Sequence, residues 1–453
     1  MNTHAQHHRW LDRWMGAGSP GTTRLVEEGL ALLSQNERET PTRQRKRRPN
    51  DDRNHRTMVE AVVMNLAHGV LNPPETGKLA VLTGKLRRPR TRYDHPAFGD
   101  TFPTVLTSLE RIGWLTFHES PGMGEASAIA PTIRLAAKVH EAGIILADFR
   151  RDAGETVILS RKDRHGAGAD FTRELIDYPE TATTTALRDQ MKRVNAFVSG
   201  AALSFRDDGL EPVDLYQRQQ RRLFTCGPED HPISHDRGGR IFGGWWSNLS
   251  KLRRGSIRIE DEPVATLDFS SMFVRLAYAL MGIEPPGGDL YAIPGLLGHR
   301  RAAKLIVNCL MFDEHHRCRW PKVTAPDQTM PTGMTMPRVR AAILNHHPAL
   351  DRCFGRGLGH QLMFTESTIL MQVLLEMKAR GIVGLGLHDG LMVPASRASE
   401  VGALMMEVSR QVTSHTIPVT VVNPAPPATK VTVSAPPYMR VVSSSRLSAT
   451  ALN

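Results

Sequence analysis

Two aspartates in this chain each close an apolar run. Residues 264–268 read as a strand ending in Asp268, and the helix-like stretch DFSSMFVRLAYALMG follows at once. Residues 381–387 and 391–394 are apolar and flank His388, Asp389 and Gly390, the pattern of a hairpin with its carboxylate at the tip. Between them in sequence, Arg300, Lys304, Asn308 and Phe312 recur every four residues and share one helix face. Each piece alone has a bland reading, since an Asp-Gly turn serves hairpin geometry and a polar stripe is an ordinary solvated helix face. Together they form the set that nucleotidyl transfer needs. Two divalent ions ~3.5–4 Å apart serve the attacking and leaving oxygens, and hard carboxylate oxygens suit Mg²⁺. Arg and Lys then neutralise the triphosphate, and an aromatic ring on the same face accepts a base.

The rest of the chain must position these groups. Its 453 residues suffice for two to four folding units, and a hydrophobic content of 40% excludes wholesale disorder. No apolar run reaches eighteen residues, so no membrane span is expected, and a reducing, cytoplasmic setting follows from four cysteines without a CxxC pair. A net charge of +11 suits a polyanionic partner. That charge is clustered. Residues 36–57 carry Arg43, Arg45, Lys46, Arg47 and Arg48 with almost no apolar content, and read as either a solvated linker or a phosphate-seeking arm. Residues 1–57 are accordingly assigned to a basic, partly disordered arm.

Residues 58–143 carry a helix over 58–68, a basic loop at 84–92, a helix over 101–112 and a hairpin over 114–131. Helices followed by a hairpin is the order of a winged helix, with Arg88 and Arg90 of the loop facing DNA; a generic helical domain with one hairpin has the same signature. Residues 144–237 form a connecting or thumb-like region with a helix near 185–199 and a basic run at Arg218, Arg221 and Arg222. Residues 238–423 hold the chemistry, and 424–453, with PAPP and SAPP repeats, read as a disordered tail.

The stretch 238–394, about a third of the chain, resembles the family A DNA polymerases. LDFSSMFVRLAYAL is similar to the family's first carboxylate motif, D-Y-S-Q-I-E-L-R, at Asp268, Ser270 and Arg275. HRRAAKLIVNCLMF resembles the fingers helix R-x-x-x-K-x-x-x-F/Y-x-x-x-Y at Arg300 and Lys304, with Phe312 in the last aromatic slot. LHDGLMV is similar to the second carboxylate motif, V-H-D-E, at His388 and Asp389. GGRIFGGWWSNL resembles the template-primer motif T-G-R-L-S-S-x-x-x-N-L at Gly239, Arg240, Asn248 and Leu249. The four occur in the family's order.

The resemblance implies an α+β fold: a palm with an antiparallel sheet and helical fingers, preceded by the winged-helix-like domain. It implies that Asp268 and Asp389 bind two Mg²⁺ ions, with Mn²⁺ as a substitute, and that Arg300 and Lys304 grip the nucleotide phosphates. Arg240 and Asn248 would contact the primer-template, His388 the primer terminus, and Arg275 would support the palm. The partners would be a DNA primer-template and nucleoside triphosphates, with the protein a monomer.

Three departures bear on these roles. Phe273 replaces the family's Glu five residues after the first Asp, so a bulky ring stands where sugar choice is made. Asn308 replaces the ring four residues after the fingers Lys, and Gly390 replaces the second motif's acid, as Ser does in the related single-subunit RNA polymerases. Only 85 positions run from Lys304 to Asp389, so the fingers should be reduced. Asp148, Asp152 and Glu155 do not form a proofreading set. The expectation is a compact DNA polymerase without exonuclease, of a kind that suits a phage, plasmid or integrated element. An RNA-synthesising or primer-making enzyme on the same palm, or a non-catalytic DNA-binding protein, stays open at this point.

Overall fold

The computed structural model describes residues 9–40, 45–84, 89–120, 122, 125–152, 154–164, 171–227, 230, 233–315, 317–321, 325–329 and 333–422. Arg88 and the tail 424–453 lie outside them. The fold is mixed α+β.

The N-terminal body begins with short strands β1 (Arg9–Trp10) and β2 (Met15–Ala17). Helix α1 (Pro20–Glu39) follows, with Pro in its first turn and the Ser19 hydroxyl accepting from the Thr22 amide at 3.3 Å. Its Leu25, Val26, Leu30 and Leu33 are buried in one core with Met58, Val62 and Leu66 of helix α2 (Pro49–Leu71). The expected arm at 1–57 is therefore corrected: residues 20–39 and 49–57 are helical. The polar run 36–57 misled because it holds the exposed end of one helix and the exposed start of the next. Pro49, Asp51 and Asp52 in the first turn of α2 favour a helix start, the acids by complementing its dipole.

Strand β3 (Leu79–Val81), helix α3 (Phe102–Arg111) and strands β4 (Leu115–His118) and β5 (Ser127–Pro131) complete the expected helix-then-hairpin order. The sheet runs β1-β3-β5-β4, antiparallel except for β1 on β3. Helix α4 (Ile133–Glu141) and strand β6 (Phe149–Arg151) still belong here, because β6 pairs β2 and Phe149 is buried in the same core. The boundary expected at 143 thus falls short.

A second sheet comprises β7 (Val157–Arg164), β8 (Phe171–Leu175), β10 (Gln220–Cys226) and β11 (Gly238–Gly243), in the order β11-β10-β7-β8. Helix α5 (Ala182–Ser199) packs on it, and β9 (Leu203–Phe205) leaves it for the next sheet. Since β10 and β11 pair antiparallel, a boundary at 237 would cut through one sheet, and that division is corrected too. Arg92 binds this region to the N-terminal body, pairing Asp177 and Glu180 with its guanidinium 3.6 Å from the Tyr178 ring.

The third sheet carries β12 (Ile257–Ile259), β13 (Glu262–Phe269), β14 (Leu385–Gly386), β15 (Gly390–Pro394) and β16 (Val419–Val422). Its order is β14-β15-β13-β12-β9, with β16 also on β13, and every pairing is antiparallel. Helices α6 (Met272–Leu280), α7 (Arg300–Phe312), α8 (Met336–His346), α9 (Gly359–Ala379) and α10 (Ala398–Thr413) surround it and share its core. Only Leu385 and Gly386 of the strand expected at 381–387 are paired.

Candidate active site

Asp268 occupies the penultimate position of β13, where the strand is paired on both sides, opposite Gly390 of β15 and Thr420 of β16. Asp389 is the turn residue before Gly390, so it directly precedes the residue paired with Asp268 on strands that lie ~4.8 Å from each other. Burial holds Asp268 above the usual carboxylate range, and the charge of Asp389 pushes the same way, opposed by Lys251, Lys304 and Arg254. Asp389 itself is exposed at the tip.

Gly390 is required by this packing. A Cβ there would lie 2.1 Å from Asp268 Oδ1 and 2.6 Å from the Leu267 carbonyl oxygen. The residue that departs from the family motif is thus the one that gives the first carboxylate its room. On the far side of β13, Ser271 adopts φ 51° and turns the chain sharply into α6. The hairpin is held from behind: the Gly386 carbonyl accepts from Trp246 Nε1 at 3.0 Å and from Gln220 Nε2 at 3.3 Å. Trp246 and Gln220 are fully buried.

The stripe on α7 is divided. Lys304 is exposed and its charge reaches both Asp268 and Glu366. Arg300 is tied to Asp289, with Nη2 donating to Oδ1 at 2.9 Å, and its guanidinium lies 5.5 Å from the Tyr291 ring. The Oδ1 of Asn308 is buried with no hydrogen-bond partner among the described residues. The Phe312 ring packs on Phe273 at 5.6 Å and on His360 at 5.0 Å, over Gly359, where a Cβ would strike it. Phe273 and Phe312, expected to face a nucleotide, therefore form one aromatic wall.

Arg240 closes the set. Its Nε donates to Glu366 Oε2 at 2.6 Å, and its guanidinium lies 5.5 Å from the Phe273 ring. Burial lowers Arg240, but Glu366 and the charge of Asp389 more than reverse this. Glu366, on α9, is 1% exposed, and burial pushes it up to about 7 against the pull of Arg240. Its other oxygen has no partner among the described residues. The sequence reading missed Glu366; a carboxylate on the otherwise apolar inner face of 364–379 was the available cue.

The expected DNA contacts separate on inspection. His388 and Asn248 are exposed, and the His388 ring packs on Phe242 at 4.7 Å. Arg90 is exposed, and its guanidinium donates to the Pro96 and Phe98 carbonyls, so it also braces its own loop. Several other members of the basic clusters are likewise engaged internally. Arg218 donates to the carbonyls of Leu215, Val198, Ser199 and Ala201, and Arg222 is 2% exposed. Arg253 pairs Asp208, and Arg258 is buried on the Gly255 and Ile257 carbonyls. Net charge overstated the free cationic surface. Arg275 donates to the Ser270 carbonyl, bracing the turn after Asp268. Asp148 caps the Ile145 amide, Asp152 pairs Arg150, and Glu155 pairs Arg92 and Arg188, which are structural employments.

No protein-family model matches the chain and no curated protein matches it, so the functional reading rests on this geometry.

Proposed function

We propose that the protein is a template-directed DNA polymerase that extends a primer 3′ end by nucleotidyl transfer. One observation carries this reading: Asp268, near the end of an antiparallel strand, pairs the residue next to Asp389 and lies within the fields of both Asp389 and Lys304. The donor set fits divalent ions. Two hard carboxylates crowd each other, and burial lifts Asp268, so a cation between them would relieve both costs. Mg²⁺ prefers one or two carboxylates completed by substrate phosphates, a donor set that Asp268 and Asp389 would supply. Bound there, the ions would lower the pKa of the attacking 3′-hydroxyl and neutralise the leaving pyrophosphate.

The chain's own residues do the rest. Lys304 offers its ammonium to the triphosphate, and Arg300 joins it on release from Asp289. Phe273 and Phe312 wall the sugar side, and Glu366 fixes Arg240 for the primer. The N-terminal body, with its α2–β3–α3–β4–β5 order, serves as a winged-helix-like clamp on the duplex. Among the described residues no helix is long and apolar enough to cross a membrane.

Primer extension tests the reading. A recessed DNA duplex with Mg²⁺ should be extended with deoxyribonucleotides and not after chelation. Extension with ribonucleotides alone would move the protein to the RNA-synthesising class. Salt-dependent DNA binding without incorporation, in Mg²⁺ or Mn²⁺, would leave a DNA-binding protein only.

A further inference from the structure

The N-terminal body carries an open groove at its sheet edge, far in sequence from the carboxylates. Strand β1 is the edge of the sheet β1-β3-β5-β4, and Trp10, Leu11, Arg13, Val81, Leu82 and Phe102 line the groove. Trp10 is 49% and Leu82 59% exposed, so two large apolar side chains stand in water in one place. The floor is aromatic. Phe102 is buried, its ring packs on Phe98 at 5.0 Å, and the Arg13 guanidinium lies 5.1 Å from the Phe98 ring.

The charge of the groove is one-sided, because Arg13 is the one ionisable group among the described residues that line it. Among the described residues Arg13 makes no hydrogen bond and no ion pair. Burial lowers it from the usual arginine range, opposed only by the charge of Asp94, whose carboxylate accepts from the Thr91 amide and hydroxyl. A half-buried guanidinium with all its donors unused gains from an anion arriving beside it.

These features select a ligand. A flat apolar face beside an unpaired cation matches one nucleotide, with a base for the indole and a phosphate for the guanidinium. The groove, at about 180 Å³, is smaller than the ~300–1,000 Å³ of sites that enclose a drug-sized ligand. It therefore takes one ring system and leaves the rest of the ligand outside, as a base in a continuing strand requires. A peptide added as a strand fits less well, since β1 offers only two residues of edge. The chain's own ends fit no better: residues 1–8 and 424–453 contain no Asp or Glu to meet Arg13.

We infer that this groove captures an unpaired base of single-stranded DNA, the base stacking on Trp10 beside Leu82 and the adjoining phosphate pairing Arg13. The inference rests on the DNA-binding part of the proposed function and needs no nucleotide incorporation. It gives the N-terminal body a grip on unpaired template besides its clamp on the duplex.

The probe is fluorescein-labelled oligothymidylate, titrated with the full chain and followed by anisotropy, with a blunt DNA duplex as the second probe. Trp10→Ala should weaken single-strand binding about tenfold and duplex binding by about twofold at most, and Trp10→Phe should restore most of the loss. Arg13→Ala should lower the slope of log K against log salt by about 0.7, the value for one phosphate of a single strand, and Arg13→Lys should keep it. Leu82→Glu sets a negative charge in the groove from an exposed position, so it should weaken single-strand binding at the parent's melting temperature. That variant judges the groove even where Trp10→Ala does not fold. The inference falls if the parent does not bind oligothymidylate, if Leu82→Glu and folded Trp10→Ala bind it as tightly as the parent, or if both probes lose equally. A parent that shows this Trp10 dependence and never extends a primer ends the polymerase reading while the groove stands. A parent that extends primers while Trp10→Ala and Leu82→Glu bind as the parent does ends the groove alone.

Discussion

The two halves of the candidate site are built differently. The carboxylate half is fixed by sheet register: Asp268 is paired on both sides, Gly390 gives it room, and the hairpin bearing Asp389 is held through Gly386 by Trp246 and Gln220. The cationic half is a helix face whose members are partly engaged elsewhere, with Arg300 on Asp289 and only Lys304 reaching the carboxylates. Carboxylates on adjacent strands repel each other without a cation, so the fold must hold them together by backbone. On the proposed function, cations on a helix face can take an internal anion until a triphosphate displaces it, so the first half is preorganised and the second switchable.

Breaking the preorganised half should have the largest effect. Gly390→Ala puts a methyl group against the Asp268 carboxylate and the Leu267 carbonyl, so the strands must part. A displacement of ~1 Å at reacting groups costs about a hundredfold in rate, so kcat should fall by about that much or more. A variant at parental rate would mean that the register does not set the site.

Glu366 joins the two halves through Arg240, and pH reports on it. An acid whose folded-state pKa lies above its ordinary value weakens the fold while ionised. The parent therefore gains stability from this group as pH falls through about 7 and loses it as pH rises. Glu366→Gln lacks that dependence. Its melting temperature, relative to the parent's, should shift in the variant's favour between pH 6 and pH 8. A flat difference would show that Glu366 titrates elsewhere.

The smallest effect belongs to the switchable half. Asp289→Asn removes the anion that holds Arg300, a pair about half exposed and worth up to ~1 kcal/mol. The nucleotide KM should drop about two- to fivefold with kcat little changed. An unchanged or higher KM would place Arg300 outside the nucleotide path.

What the sequence made legible follows the same division. Asp268 and Asp389 could be found because strand ends and turn tips are local patterns, and the α7 stripe because a four-residue period is local too. Glu366, Trp246 and Gln220 act across 140 residues or so of chain, as in the Trp246–Gly386 hydrogen bond, and no spacing announces such contacts. The arginines misled for the same reason. Arg218 and Arg222 look like free cations in sequence, and only the fold supplies the carbonyls and burial that occupy them. The N-terminal helices were obscured because a polar stretch can end one helix and begin the next without entering a core.

The central claim is that Asp268 and Asp389 act as one cation-binding pair in nucleotidyl transfer. Single-turnover extension of a saturating recessed DNA duplex in Mg²⁺ tests it directly, comparing the parent with Asp268→Ala and Asp389→Ala. Both variants should bind the duplex and lose extension by about a thousandfold or more. Parental extension by both would contradict the pair's role.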